Sequence, residues 1–186
     1  MTSENSLAIA NAIVSKEKTK WAVMSFSPLK SASDDDIFPA ILQNGYEMIS
    51  DLQIEIFKAS INLGHIPICW RDVRVLFIPK LGQLSYHSAK AFRPISLTSF
   101  ILKSLEKLID RYLRDGVLRT FQLHYRQYAY QPRKSAETAL HHLVSRIEKV
   151  LNQNQQALGC FIDIDGAFNN MIFVAIAKAC AEHGIN

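Results

Sequence analysis

One stretch limits what this chain can fold into more than any other: Leu158-Gly159-Cys160-Phe161-Ile162-Asp163-Ile164. Its composition predicts a strand covered on both faces, yet an acid stands inside it. A buried carboxylate is costly unless it is paired or bound to a metal. Asp163 is therefore expected near the C-terminal end of the strand, projecting toward an edge where chemistry is done. Asp165 follows one pleat along on the same face. The plain alternative is an edge-strand Asp that simply reaches water.

The segments around this strand predict an α+β fold, mainly helical. Ile41, Leu42, Tyr46, Ile49, Leu52, Ile56 and Phe57 recur at roughly helical spacing, with Gly64 as a stop and Pro67 beyond it. Val73 to Pro79 reads as a strand. Thr98 or Ser99 can cap a helix carrying Leu102, Leu105, Leu108 and Ile109, ending near Gly116. A further helix from about Ser135 is expected to bury Leu140, Leu143, Val144, Ile147 and Leu151, followed by a polar hinge at 152–156. Met171 to Ala181 forms the last apolar helix, with Gly184 as its stop.

Charge adds a partner class. The 186 residues carry a formal net charge of +4. From Lys80 to Lys149 there are 13 Lys and Arg against 5 Asp and Glu, so the excess is concentrated in the centre, and Tyr112, Tyr125, Tyr128 and Tyr130 are interleaved with it. Such a stretch attracts a phosphate backbone by counterion release, unless it is only a solvated helix surface. Three cysteines without CxxC spacing argue against a disulfide framework or a zinc site. No uncharged run approaches the ~18–20 residues that span a bilayer. The N-terminus lacks the basic lead-in of a secretory signal. The expectation is an intracellular protein, in nucleus or cytoplasm, with no membrane contact and no specific protein partner inferable.

Asp163-Ile164-Asp165-Gly166 superficially matches the nucleophile loop of haloacid-dehalogenase-type phosphotransferases, but a whole doubly wound domain would have to follow it. It also fails as an EF-hand loop, because Gly166 comes at the fourth position and no Glu closes the loop. Phe161-Ile162-Asp163-Ile164-Asp165-Gly166-Ala167-Phe168-Asn169 instead resembles the first palm motif of reverse transcriptases. Upstream segments are similar, in order, to those of jockey-type non-long-terminal-repeat retrotransposons. These are Ser27-Pro28 through Ile37-Phe38-Pro39; Gly64, Pro67, Trp70 and Val75 to Lys80; Phe92 to Leu97 with Leu102 to Ile109; and Gln127 to Tyr130 with Ser135 to Leu140. The resemblance covers residues 20–186, and five motifs in family order make it specific.

The resemblance implies the fingers and partial palm of a right-hand polymerase. Residues 1–20 would be a helical leader, 21–150 the fingers and 151–186 the start of the palm. Nucleotide addition is an in-line displacement at phosphorus, its charge held by two divalent ions and by basic groups on the triphosphate. By resemblance Asp163 is a catalytic metal-binding carboxylate, assisted by the carbonyl of Ile164, and the ion is Mg²⁺. Lys80 and Arg93 would contact the incoming deoxynucleoside triphosphate, a role suited to an ammonium and a forked guanidinium. Phe168 would crowd the sugar 2′ position, and Gln127 would lie against the template. RNA template and DNA primer are the implied partners.

The departures are also informative. Where the family has Gly-Pro-Asp-Gly-Ile, this chain has Ser33-Asp34-Asp35-Asp36-Ile37. Arg133 stands where Gly is usual, Ala136 where Thr is usual and Asn169 where Asp is common. The paired aspartates of the third palm motif are absent from the 186 residues, so two of three expected carboxylates are missing. The chain is expected to add no nucleotides alone. The alternative is a basic nucleic-acid-binding remnant without catalysis.

Overall fold

The computed structural model describes residues 3–164, 166–167 and 170–185. They form two compact units, Met1–Arg114 and Asp115–Asn186. Both are rich in helix, and among the described residues the one sheet is a two-stranded hairpin.

The first unit begins with α1 (Ser3–Ile13) and α2 (Lys16–Met24). Ser15 separates them, its hydroxyl accepting from the Lys18 N–H at 3.3 Å as an N-cap. The long helical pattern that follows is divided into α3 (Pro39–Asn44) and α4 (Tyr46–Leu63). Gly45, the weakest helix former in the stretch, lies at the break, where a Cβ would stand 3.2 Å from the Ile41 carbonyl oxygen. The break changes which face is covered: Leu42, Tyr46, Ile54 and Phe57 are buried, whereas Ile41 and Leu52 point outward. Gly64 ends α4 with φ of 58°, a left-handed cap that favours glycine.

A single turn, α5 (Ile68–Arg71), carries Trp70 into the core, where its ring meets Phe57 edge-on at 5.9 Å. Then come β1 (Arg74–Pro79) and β2 (Phe92–Leu97), and finally α6 (Phe100–Asp115), whose entry Ser99 caps by accepting from the Ile101 N–H at 3.2 Å. The main core gathers Ile13, Val14, Ala22, Ile54, Phe57, Trp70, Leu102, Leu105 and Leu108. The two N-terminal helices thus supply part of the core. Val23, Leu42, Tyr46 and Phe100 form a second cluster.

β2 is a strand that the sequence patterning does not predict. Ile95 and its neighbours pair antiparallel with β1, and Pro94 opposes Phe77. With two strands in the sheet each has a free edge, so a proline that cannot donate a ladder hydrogen bond is tolerated.

The second unit holds α7 (Val117–Thr120), α8 (Ala136–Asn152) and α9 (Phe173–Glu182). All were expected in outline except α7. The burial was not. Leu140 is 61% exposed, Leu143 39%, Val144 43%, Ile147 37% and Leu151 54%, so the clean apolar stripe of α8 has no apolar layer over it among the described residues. The loop before α8 approaches its opposite, polar face, with the Tyr128 ring 6.2 Å from that of His142.

Leu158 to Ile164 is likewise corrected. The segment is not a strand and is not buried: Phe161 is 85% exposed and Ile162 87%. A strand requires a hydrogen-bonding neighbour, and no described residue supplies one. Asp165, Phe168 and Asn169 lie outside the described residues.

Candidate nucleotide and nucleic-acid interface

The hairpin carries Lys80 and Arg93. Its register places Ile78 opposite Arg93 and Pro79 opposite Phe92. The ladder continues one step further, because the Lys80 N–H donates to the Ala91 carbonyl at 2.8 Å. Lys80 therefore stands on the same face as Arg93, as its diagonal neighbour, the relation in which β-carbons are typically ~7–8 Å apart or slightly closer. The Tyr86 hydroxyl donates to the Lys80 carbonyl at 2.8 Å and its ring packs against Phe92 at 5.9 Å, which folds the connecting loop back onto the strand end. Arg93 is exposed and Lys80 half-buried. Two cations on one face of a hairpin suit a polyphosphate: the ammonium as a point charge, the guanidinium as a fork.

The far end of the hairpin is tied to the acidic segment before α3. Arg74 Nε donates to Asp34 Oδ1 at 2.7 Å, with Asp36 Oδ1 3.8 Å from the same guanidinium. Buried Ser33 donates from its hydroxyl to the Leu97 carbonyl at 2.5 Å. These acids, which in sequence mark only a departure from the family pattern, anchor the hairpin. Asp36 takes φ of 51°, a left-handed conformation that favours glycine.

In the second unit Gln127 is held inside its own loop. Its side-chain amide donates to the Ala129 carbonyl at 3.3 Å, and its own carbonyl accepts from Lys134 Nζ at 3.0 Å. Beside it an open groove of about 380 Å³ is lined by Tyr125, Arg126, His142, Ser145, Arg146 and Lys149. His142, Ser145, Arg146 and Lys149 fall at i, i+3, i+4 and i+7, the face of α8 opposite its apolar stripe. The sequence alone does not single out His142, Arg146 or Lys149. Their helical spacing was the available signal.

Asp163 is exposed, as is Ile164. Among the described residues no group of three or more His, Cys, Asp or Glu could hold a metal ion. The described donors, one carboxylate and a neighbouring carbonyl, do not fit the pair of divalent ions that phosphoryl-transfer polymerases use. Lys80 and Arg93 are thus brought together in the first unit, Gln127 and Asp163 belong to the second, and Phe168 is outside the described residues. No helix among the described residues is long and apolar enough to cross a membrane.

Comparison with known proteins bears on the same residues. The chain is 24% identical over 148 residues to the RNA-directed DNA polymerase from mobile element jockey of Drosophila melanogaster, covering 77% of this chain and 16% of that protein. It is 28% identical over 116 residues to the probable RNA-directed DNA polymerase from transposon BS of the same species, covering 62% and 13%. A 115 kDa protein in the type-1 retrotransposable element R1DM matches at 24% over 155 residues, covering 83% and 15%. The chain therefore spans about a sixth or less of the length of these relatives. A family model described as reverse transcriptase (RNA-dependent DNA polymerase) matches residues 78–186, from the end of β1 onward. The chain belongs to the reverse transcriptase family.

Proposed function

We propose that these residues are the fingers and the beginning of the palm of a retrotransposon RNA-directed DNA polymerase, and that taken alone they do not extend a primer. The observation that carries this reading is the hairpin register, which sets Lys80 and Arg93 on one face. In this reading the two cations hold the triphosphate, Phe168 faces the sugar, and Gln127 with the groove beside it follows the template strand. Asp163 and the Ile164 carbonyl give one part of a Mg²⁺ site. The remaining carboxylates and the sheet that would cover the α8 stripe and flank Phe161 belong to the rest of such a polymerase. The setting is intracellular, with RNA template and DNA primer as partners.

Two measurements test it. Primer extension with Mg²⁺, a homopolymer template and deoxynucleoside triphosphates gives no incorporation above blank, and clear incorporation by the 186-residue chain would overturn the inactivity. Intrinsic-fluorescence titration with a deoxynucleoside triphosphate gives weak, salt-sensitive binding that falls about tenfold in Lys80→Gln/Arg93→Gln, since each loses a charge-assisted contact. Binding that is unchanged in the double variant removes the hairpin from the nucleotide site.

The groove supports a second reading, a nucleic-acid-binding remnant without catalysis. Arg126, Arg146 and Lys149 converge there with Tyr125, a cation-and-aromatic lining that fits a single strand. Replacing the three cations by Gln should lower the log–log salt slope of RNA binding by about 2. An unchanged slope sinks this reading.

A further inference from the structure

α2 crosses α4 over a seam that is polar inside as well as outside. On its outer edge Lys16 pairs with Asp51 at 3.2 Å and Lys20 with Glu47 at 2.6 Å, so the two helices run antiparallel. Within it the Tyr46 hydroxyl donates to the Lys16 carbonyl at 3.0 Å. Three buried side chains of the same helices are left over. Thr19 Oγ1, Ser50 Oγ and both ends of the Gln53 amide have no hydrogen-bond partner among the described residues. Thr19 and Ser50 are 0% exposed and Gln53 6%, so solvent does not serve them from outside.

The helix register gathers these groups. Thr19 lies between Lys16 and Lys20 as Ser50 lies between Glu47 and Asp51, which sets the two hydroxyls at nearly one level of the seam. Gln53 follows Ser50 by one turn on the same face, with β-carbons about 5–6 Å apart, and a long helical side chain leans back toward the N-terminus, here toward Ser50. The apolar core divides at the same place. Ser50 is one turn from Tyr46 of the second cluster and one turn from Ile54 of the main cluster, while Thr19 is one turn from Val23 of the second and Ala22 of the main. The polar groups thus stand where the two clusters meet.

We infer that Thr19, Ser50 and Gln53 form a binding site for internal water between α2 and α4. A buried donor or acceptor left unpaired is costly, and a buried water typically makes about three hydrogen bonds to such groups. Water both donates and accepts, so it can serve two hydroxyls and one end of an amide together. A cation is disfavoured because the cluster holds no carboxylate and one of its members is an amide N–H donor. An anion is disfavoured because the neighbouring lysine heads are taken by Asp51 and Glu47. The inference stands independently of the polymerase reading, since it uses no residue of the hairpin or the groove.

The test is oxygen-17 relaxation dispersion of water on the 186-residue chain, which counts molecules held inside a protein and does not respond to hydroxyl protons. Thr19→Val/Ser50→Ala/Gln53→Met should lower the amplitude by about one long-lived water relative to wild type. Urea unfolding of Thr19→Val gives a second readout. Valine matches threonine in shape and nearly in helix propensity, so the midpoint should fall only because a hydrogen bond to water is lost. The triple variant should lose less than its three single variants summed, because the members of one network are removed together. A dry seam predicts the reverse for Thr19→Val, an apolar group in an apolar place and a raised midpoint. An unchanged amplitude in the triple variant, or a midpoint that does not fall in Thr19→Val, overturns the inference. Where the triple variant does not fold, the Thr19→Val midpoint decides alone.

Discussion

Ser135 and Thr138 cap α8 reciprocally: Ser135 Oγ accepts from the Thr138 N–H at 3.2 Å, and Thr138 Oγ1 accepts from the Ser135 N–H at 2.8 Å. Two of the N–H groups left free at a helix start are thereby satisfied. Because the apolar face of α8 is bare, capping and propensity contribute more to this helix than packing does. Ser135→Ala should cost about 1 kcal/mol, read as faster amide exchange through the first turns of α8. Equal protection in wild type and variant would show that the cap is idle.

The start of α8 at about Ser135 was legible in the sequence, though not its reciprocal cap, and so were the boundaries of β1, α6 and α8. Local rules fix such features. Burial was not legible where it depended on chain that a single segment cannot specify. Leu143 and Ile147 have the spacing of core residues, yet periodicity states only that a face is apolar, not that something covers it. β2 escaped for the opposite reason: Arg93-Pro94 suggests a turn, and only the partnership with β1 makes it a strand. Of the candidate site, Lys80 and Arg93 were named from resemblance, but their diagonal placement required the register.

Arg133 also adopts a left-handed conformation, with φ of 64°, and like Asp36 it stands at a position where the family resemblance implies glycine. A side chain there costs roughly 1–2 kcal/mol per residue against a relaxed backbone. Arg133→Gly should therefore stabilise by about 1 kcal/mol in urea unfolding, part of the gain being lost to the freer unfolded chain. Asp36→Gly should gain less, since Asp tolerates this conformation better and its contact with Arg74 is given up. A fall in stability for Arg133→Gly would show that its side chain makes a contact worth more than the strain.

The pair Lys20–Glu47 makes the first unit sensitive to acid. A hydrogen bond from Lys20 and its charge hold the Glu47 carboxyl below the ordinary value. The folded state therefore binds fewer protons than the unfolded chain just below pH 4.5, so stability falls as pH drops through that window. At neutral pH the pair's contribution is fully present, though small because both groups are exposed and salt screens them. Glu47→Gln should flatten the acid limb of the urea midpoint against pH and leave the alkaline limb unchanged. An acid limb as steep as wild type would assign the loss to other carboxylates.

Phe57 and Leu143 separate a covered apolar residue from an uncovered one. Phe57 is 0% exposed within the main core, whereas Leu143 is 39% exposed on the bare stripe of α8. Truncating the first removes burial and leaves a cavity, at a cost of about 3–5 kcal/mol for Phe57→Ala. That approaches the whole stability of many domains, and the variant should unfold at a much lower urea concentration. Leu143→Ser should cost no more than about 0.5 kcal/mol, the range of surface changes. With Ile147→Ser added it should also shift sedimentation toward monomer, because an exposed apolar stripe drives self-association. A loss of several kcal/mol at Leu143 would mean that the 186-residue chain already covers α8 in solution.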